Sequence, residues 1–179
     1  MKKLVLISFI LYGIQTFGQN QKIDSTEVST YNDYANGYSV EKPSWLNIKK
    51  TGSSKAFGGT LPAIHDIENA ILIIAFEKSK FKNFEDFERI YITGNTFGKE
   101  TLFSKNHIFF GRNEKDLHKV EHGVASKLFL FYQNKIYHHQ FVLIETSKAF
   151  LLINFSSSPE TYEENLPKFN EFMKGLKVE

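Results

Sequence analysis

Three apolar, strand-like runs fill the C-terminal third of the chain, and the short links between them restrict what it can fold into. They read "SKLFLFYQ", "KIYHHQFVLI" and "AFLLINFS", joined by Asn134-Lys135 and by "ETSK". Connectors this short cannot carry a parallel crossover, so the runs must lie side by side as antiparallel neighbours. A helix follows. Ser158 can cap it, Pro159 suits the first helical position, and Glu160, Glu163 and Glu164 load the positive end of its dipole. Tyr162, Leu166, Phe169, Met173 and Leu176 recur every three or four residues, a stripe that should lie on the sheet. Pro167 withholds an N–H from the ladder and should kink or divide this helix.

Upstream, "IENAILIIAFEK" is a continuous apolar run bounded by charge, as expected of a strand covered on both faces and central to the sheet. The period then changes. Phe84, Phe87 and Tyr91 are helically spaced, Asn83 can cap, and Gly94 can end the helix. "GYSVEKPSWLNI" offers a short strand through Tyr38 and Val40, and "KKTGSSKAFGGTLP" reads as a Gly/Ser loop. Strands at "HIFFG" and near "LHKVEHGV" are weaker expectations within 95–125.

Residues 1–18 carry Lys2 and Lys3, an apolar run of about eleven residues, and the small Gly18 before Gln19. The run is too short to span a bilayer, so the segment reads as a secretory signal peptide cut between Gly18 and Gln19. Residues 19–36 are polar and read as a flexible tether, leaving 37–179 as a single α+β domain. The chain has 22 Lys and Arg against 20 Asp and Glu, and the excess is the two leader lysines. A neutral exported domain without a basic cluster has no electrostatic footprint for nucleic acid or anionic lipid. With Cys 0 there is no disulfide framework, no thiol chemistry and no acylated cysteine to hold the chain on a membrane after cleavage. Stability must come from packing, for which 18 Phe, 8 Tyr and 1 Trp provide large apolar area.

In order, the Tyr-x-Val-x-x-Pro-x-Trp entry in "GYSVEKPSWL", the Gly-rich loop, the helix after the first long strand, the meander and the "SSSPE" helix start resemble the PsbP/DcrB-like group. That group shares its fold with the Ran-binding Mog protein. The resemblance covers nearly all of 37–178 and implies an antiparallel β-sheet sandwiched between helices. It brings no catalytic motif. The group's exported bacterial proteins, mycobacterial lipoproteins and photosystem subunits imply a binding or assembly role, not a reaction. The acylated cysteine of the lipoprotein members has no counterpart here.

His138 and His139 are the most site-like pair, yet neighbours in a strand point to opposite faces and cannot share one ion. With Asn134-Lys135 as a two-residue turn, Phe131 faces His138 and Leu130 faces His139, so both rings read as parts of the sheet. His118 and His122 have better spacing for a metal, with Asp116 and Glu121 near, but no third ligand and no His-Glu-x-x-His pattern accompany them. "SKFK" at 79–82 and "KTG" at 50–52 imitate a penicillin-recognising serine enzyme in the wrong order. "TGSSKAFGGT" lacks the Gly-Lys-Ser/Thr end of a phosphate loop. Tyr38, Trp45 and Phe57 could line a pocket, and core packing is the default for such rings.

The expectation is a non-enzymatic exported protein, periplasmic or extracellular, without catalytic residues, cofactor or stable membrane insertion. Its partner would be a protein of the cell envelope. An immunity protein against a secreted effector is the alternative, and a small enzyme ranks third. Intact-mass measurement on the exported protein should give a chain beginning at Gln19; retention of Met1–Gly18 would overturn the leader assignment.

Overall fold

The C-terminal meander is present and forms the middle of a larger sheet. The computed structural model describes residues 29–49, 56–94, 109–112, 116–132 and 135–179. In chain order the strands are β1 (Thr30–Asp33), β2 (Tyr38–Glu41), β3 (Asn47–Ile48), β4 (Ala56–Thr60) and β5 (Ala70–Glu77). Helix α1 (Phe84–Glu88) follows, then β6 (Phe109–Arg112), β7 (His118–Val120), β8 (Gly123–Tyr132), β9 (Lys135–Glu145) and β10 (Ala149–Ser157). Helix α2 (Tyr162–Lys174) and β11 (Leu176–Val178) complete the order. The leader, Gly18, Gln19, residues 50–55 and most of 95–115 lie outside the described residues.

The large sheet runs β3-β4-β5-β10-β9-β8-β6, with β7 added to the end of β8, and every pairing is antiparallel. Its central strand is β10 and not the Ile-rich β5. All nine residues of β10 are buried, because β5 and β9 flank it and both faces are covered. Alternate residues feed two cores. Leu151, Ile153 and Phe155 face one with Ile71, Ile73 and Val142; Phe150 and Leu152 face the other with Ile74, Phe76 and Leu143.

The second core is covered by α1. Asn83 caps this helix by accepting the Asp86 N–H at 2.9 Å, and Phe87 stacks on Phe150 with ring centroids 5.3 Å apart. The helix widens into a π-turn over Arg89–Thr93, closed at Gly94, whose N–H donates to Arg89 O at 2.8 Å.

The first core is covered by α2 and by a small sheet, β1-β2-β11, that the sequence pattern did not suggest. Residues 29–36, the described part of the expected tether 19–36, depart from one: Ser29 already bonds Lys42, and Tyr31 of β1 stacks on Phe57 at 4.0 Å. The expected Gly/Ser loop is also a strand over its second half. A Cβ at Gly58 would lie 2.2 Å from Ile71 O, and one at Gly59 would lie 2.3 Å from Asn47 O, so glycine serves close strand approach there and not a turn.

Helix α2 starts later than its sequence suggested. Thr161 is the N-cap residue, and the preceding Ser158-Pro159-Glu160 forms a turn. Buried Asn69, just before β5, accepts from the Ser158 N–H and the Thr161 hydroxyl, which fixes this start against the sheet. Pro167 neither divides nor ends the helix; it sits inside it on the exposed side. Phe169 and Phe172 bury fully, and Phe169 stacks on Phe155 at 5.2 Å.

Gly123 opens β8 opposite Ile144, where a Cβ would lie 1.8 Å from Leu143 O. Gly123→Ala should therefore lower stability by about 2–3 kcal/mol in urea unfolding, against less than about 0.5 for the exposed Glu121→Ala. Equal effects would show that β8 needs no such approach.

Candidate functional site

A groove of about 740 Å³ lies on the face of the large sheet that α2 and the small sheet cover. Its floor is Ala125, Val142 and Ile144, one from β8 and two from β9. One bank is the α2 face bearing Leu166, Phe169, Asn170 and Met173, three and four residues apart and so aligned by the helical period. The opposite bank is the β7–β8 hairpin with Val120, and β11 closes the groove with Leu176 and Val178. Gln140 reaches in from β9, its Oε1 accepting from the Tyr162 hydroxyl at 3.1 Å.

The hairpin brings His118 and His122 to the mouth of this groove, together with Glu121. His118 Nδ1 lies 2.8 Å from Asp116 O, and His122 Nε2 lies 3.5 Å from Glu121 Oε1. The two histidines share a face of neither a strand nor a helix. His118 is in β7, whereas His122 occupies the turn with φ 60°, a left-handed conformation that aims its side chain independently. Among the described residues no three His, Asp or Glu side chains gather as a metal site would require. None of the described residues lining the groove carries a side-chain hydroxyl of the kind that serves as a nucleophile. What the lining can do is take up apolar chain and hydrogen-bond it through amides and imidazoles at the edge.

The adjacent histidines point to opposite faces, as the strand period requires. Their register differs by two residues from a turn at Asn134-Lys135: Lys135 is already in β9, Phe129 faces His138 and Leu128 faces His139. A shift of two preserves the face of every side chain, so the neighbours change and the orientation does not. His139 is buried with Nδ1 2.8 Å from Asn154 Oδ1, and burial pushes its imidazole down to about 4, opposed by that hydrogen bond and assisted by His138. It presents no surface to a partner.

His138 is half-buried, edge-on to Phe129 and to Tyr162 at 4.9 and 5.2 Å. Burial lowers its pKa, as does Lys127, while Glu163 and Glu160 act in the opposite sense. These carboxylates come from the turn before α2 and from its first turn, which the strand register alone does not bring beside the ring. Lys127 Nζ lies 4.0 Å above the Tyr162 ring and 3.4 Å from Glu163, so it joins strand to helix here.

The remaining aromatic candidates do not line the groove. Tyr38 and Phe57 are buried in the first core, Phe57 stacked on Tyr31. Trp45 is half-buried, and its Nε1 donates to Glu171 Oε2 at 3.0 Å, tying the segment after β2 to α2. Sequence reasoning did not find the groove, because its parts come from β7, β8, β9, α2 and β11; the one legible signal was the α2 stripe running through Leu166, Phe169 and Met173.

No protein-family model matches the chain, and no curated protein matches it. Solved structures do. Cyanobacterial PsbP (CyanoP) from Synechocystis sp. PCC 6803 superposes with a TM-score of 0.56 at 12% identity, over 91% of this chain and 99% of that one. LpqN, involved in cell envelope biogenesis of Mycobacterium tuberculosis, gives 0.50 at 14% identity over 84% and 89%. The protein of unknown function PA94 from Pseudomonas aeruginosa gives 0.50 at 16% identity over 84% and 96%. At these identities the likeness is one of fold, and the fold is PsbP-like α+β.

An unfolded histidine takes up a proton below about pH 6.5, whereas buried His139 resists protonation down to about pH 4. Over that window the unfolded state binds more protons, so stability should fall as pH is lowered, by up to about 3 kcal/mol from this group. Urea unfolding of wild type and His139→Leu at pH 7 and pH 5 should show a smaller fall in the variant, even though its stability at pH 7 is lower. Parallel declines would remove His139 as the cause.

Proposed function

We propose that the chain is an exported, non-enzymatic binding or assembly accessory of the cell envelope, and that the groove beside α2 is where it binds. The observation that carries this reading is the groove: an apolar floor of Ala125, Val142 and Ile144 between a helix face and a hairpin, open at an edge of histidine and amide side chains. Support from the fold is of a coarser kind. LpqN, a protein of cell envelope biogenesis, has the same architecture, and a shared fold hosts many roles. The leader-like residues 1–18 supply the route to the envelope, and no helix among the described residues is long and apolar enough to cross a membrane. The lining favours binding over catalysis, since its two histidines sit in the open, and among the described residues the lining carries no hydroxyl nucleophile and no three metal-ligating side chains gather.

A photo-reactive benzophenone side chain in place of Asn170, exposed on the groove bank, should capture one discrete envelope component in living cells. The same group in place of Lys82, exposed beside α1 and the second core, should not. Met173→Glu, placing a charge on the apolar bank, should reduce the Asn170 adduct at least about tenfold while the protein stays folded by circular dichroism. Equal capture from both positions, or an adduct indifferent to Met173→Glu, would count against the groove.

A further inference from the structure

We infer that the groove takes an extended, uncharged apolar peptide segment of another protein, which adds as a strand to the free edge of β11. The inference rests on the groove being the binding site, and it specifies the occupant. The small sheet ends at β11, which pairs with β2 on one side and has no strand on the other among the described residues. The register fixes which backbone groups are left. The Glu41 N–H donates to Gly175 O and the Glu179 N–H to Gly37 O, so the backbone of residues 175, 177 and 179 faces β2. Leu176 and Val178 therefore direct their N–H and C=O groups away from β2. Three successive residues of one strand, Leu176 to Val178, line the groove. The whole length of β11 therefore borders the groove.

An edge of this kind is completed by an extended backbone, which is the chemistry of strand addition. β11 spans about 10 Å at a strand's rise per residue. A strand laid along it would turn alternate side chains toward Val142, Ile144, Phe169 and Met173. Charge selects the same occupant. Glu121 and Lys177 give the lining one formal charge of each sign, Lys177 bridged to Glu41 and Glu121 beside His122. Nothing there favours a strongly acidic or basic segment. A fatty acid or phospholipid would fill the apolar floor but finds no cationic cluster for its headgroup among the described lining residues. The peptide meets both the floor and the edge.

The test uses the full exported chain and a set of short peptides, acetylated and amidated, alternating Val, Ile, Leu or Phe with Thr or Ser. Titrations followed by nuclear magnetic resonance should find binders that shift Leu176, Val178 and Val142. N-methylation of alternate peptide nitrogens on the pairing edge should weaken them at least about tenfold. Val178→Pro, which removes the outward N–H and keeps the Lys177 and Glu179 N–H groups that face β2, should weaken binding at least about tenfold relative to Val178→Ala, which retains it. Indifference to both changes would overturn strand pairing. A fluorescent dodecanoate that fills the groove while no peptide does would also overturn it, yet leave groove binding standing. Dimerisation abolished by Val178→Pro would assign the edge to a second copy and overturn the inference. Absence of peptide and dodecanoate binding would overturn it as well, with the Asn170 crosslink deciding the groove's role separately.

Discussion

Burial of β10 on both faces is the constraint that the rest of the molecule answers to. A strand whose nine residues are all covered needs a partner at each side and a layer above and below. The sides are β5 and β9; the layers are α1 on one face and α2 with the small sheet on the other. Because its side chains alternate, a slip of one residue would send Leu151, Ile153 and Phe155 into the α1 core and Phe150 and Leu152 under α2. The two layers differ too much for that exchange. One side is met by an aromatic cluster of Phe76, Phe81, Phe87 and Tyr91; the other is met by Phe169, Phe172 and Tyr162 on a long helix. Only the polar members of β10 need separate treatment, and Asn154 receives it from His139 on the next strand.

The groove follows from the same arrangement. α2 is fixed at its start by Asn69, Ser158 and Thr161, and its aromatic side chains follow the middle strands. The sheet extends past them through β9, β8 and the β7–β8 hairpin, leaving Ala125, Val142 and Ile144 beneath the free flank of the helix. After α2 the chain turns at Gly175 and runs back along β2, which places a short strand, with one edge unpaired among the described residues, at the end of the cavity. A helix face, a hairpin and a strand edge thus meet at one place, and of the three only the hairpin, whose β8 carries Ala125, adjoins the floor in sequence.

Much of the architecture was legible because it is written in local periods. The meander, α1 with its Asn83 cap and Gly94 stop, and the α2 stripe all depend on residues near each other in the chain. Features set by distant contacts were not legible. The helix cap moves from Ser158 to Thr161 because Asn69, far away in sequence, engages both. Gly58 and Gly59 read as loop residues because sequence shows only their freedom, while the structure shows the backbones that need their missing Cβ atoms. β1 looked like a tether because Tyr31 is its main apolar contribution, and that ring's value comes from Phe57. The site was less legible than the fold. His118 and His122 do stand at the groove, though not on the common face that their spacing suggested, and the groove itself draws on five separate elements. His138 and His139 were correctly separated by strand alternation alone, whereas the carboxylates near His138 depend on where α2 begins.

Trp45 links the entry of the fold to the helix that forms one bank of the groove, and it is the single tryptophan in the chain. Its indole N–H is held by Glu171, next to Asn170 on that bank. Any movement of α2 that stretches this bond changes the polarity around the indole. The molecule thus carries a native fluorophore hydrogen-bonded to the helix that banks the groove, and its emission reports the position of that helix without any label being introduced.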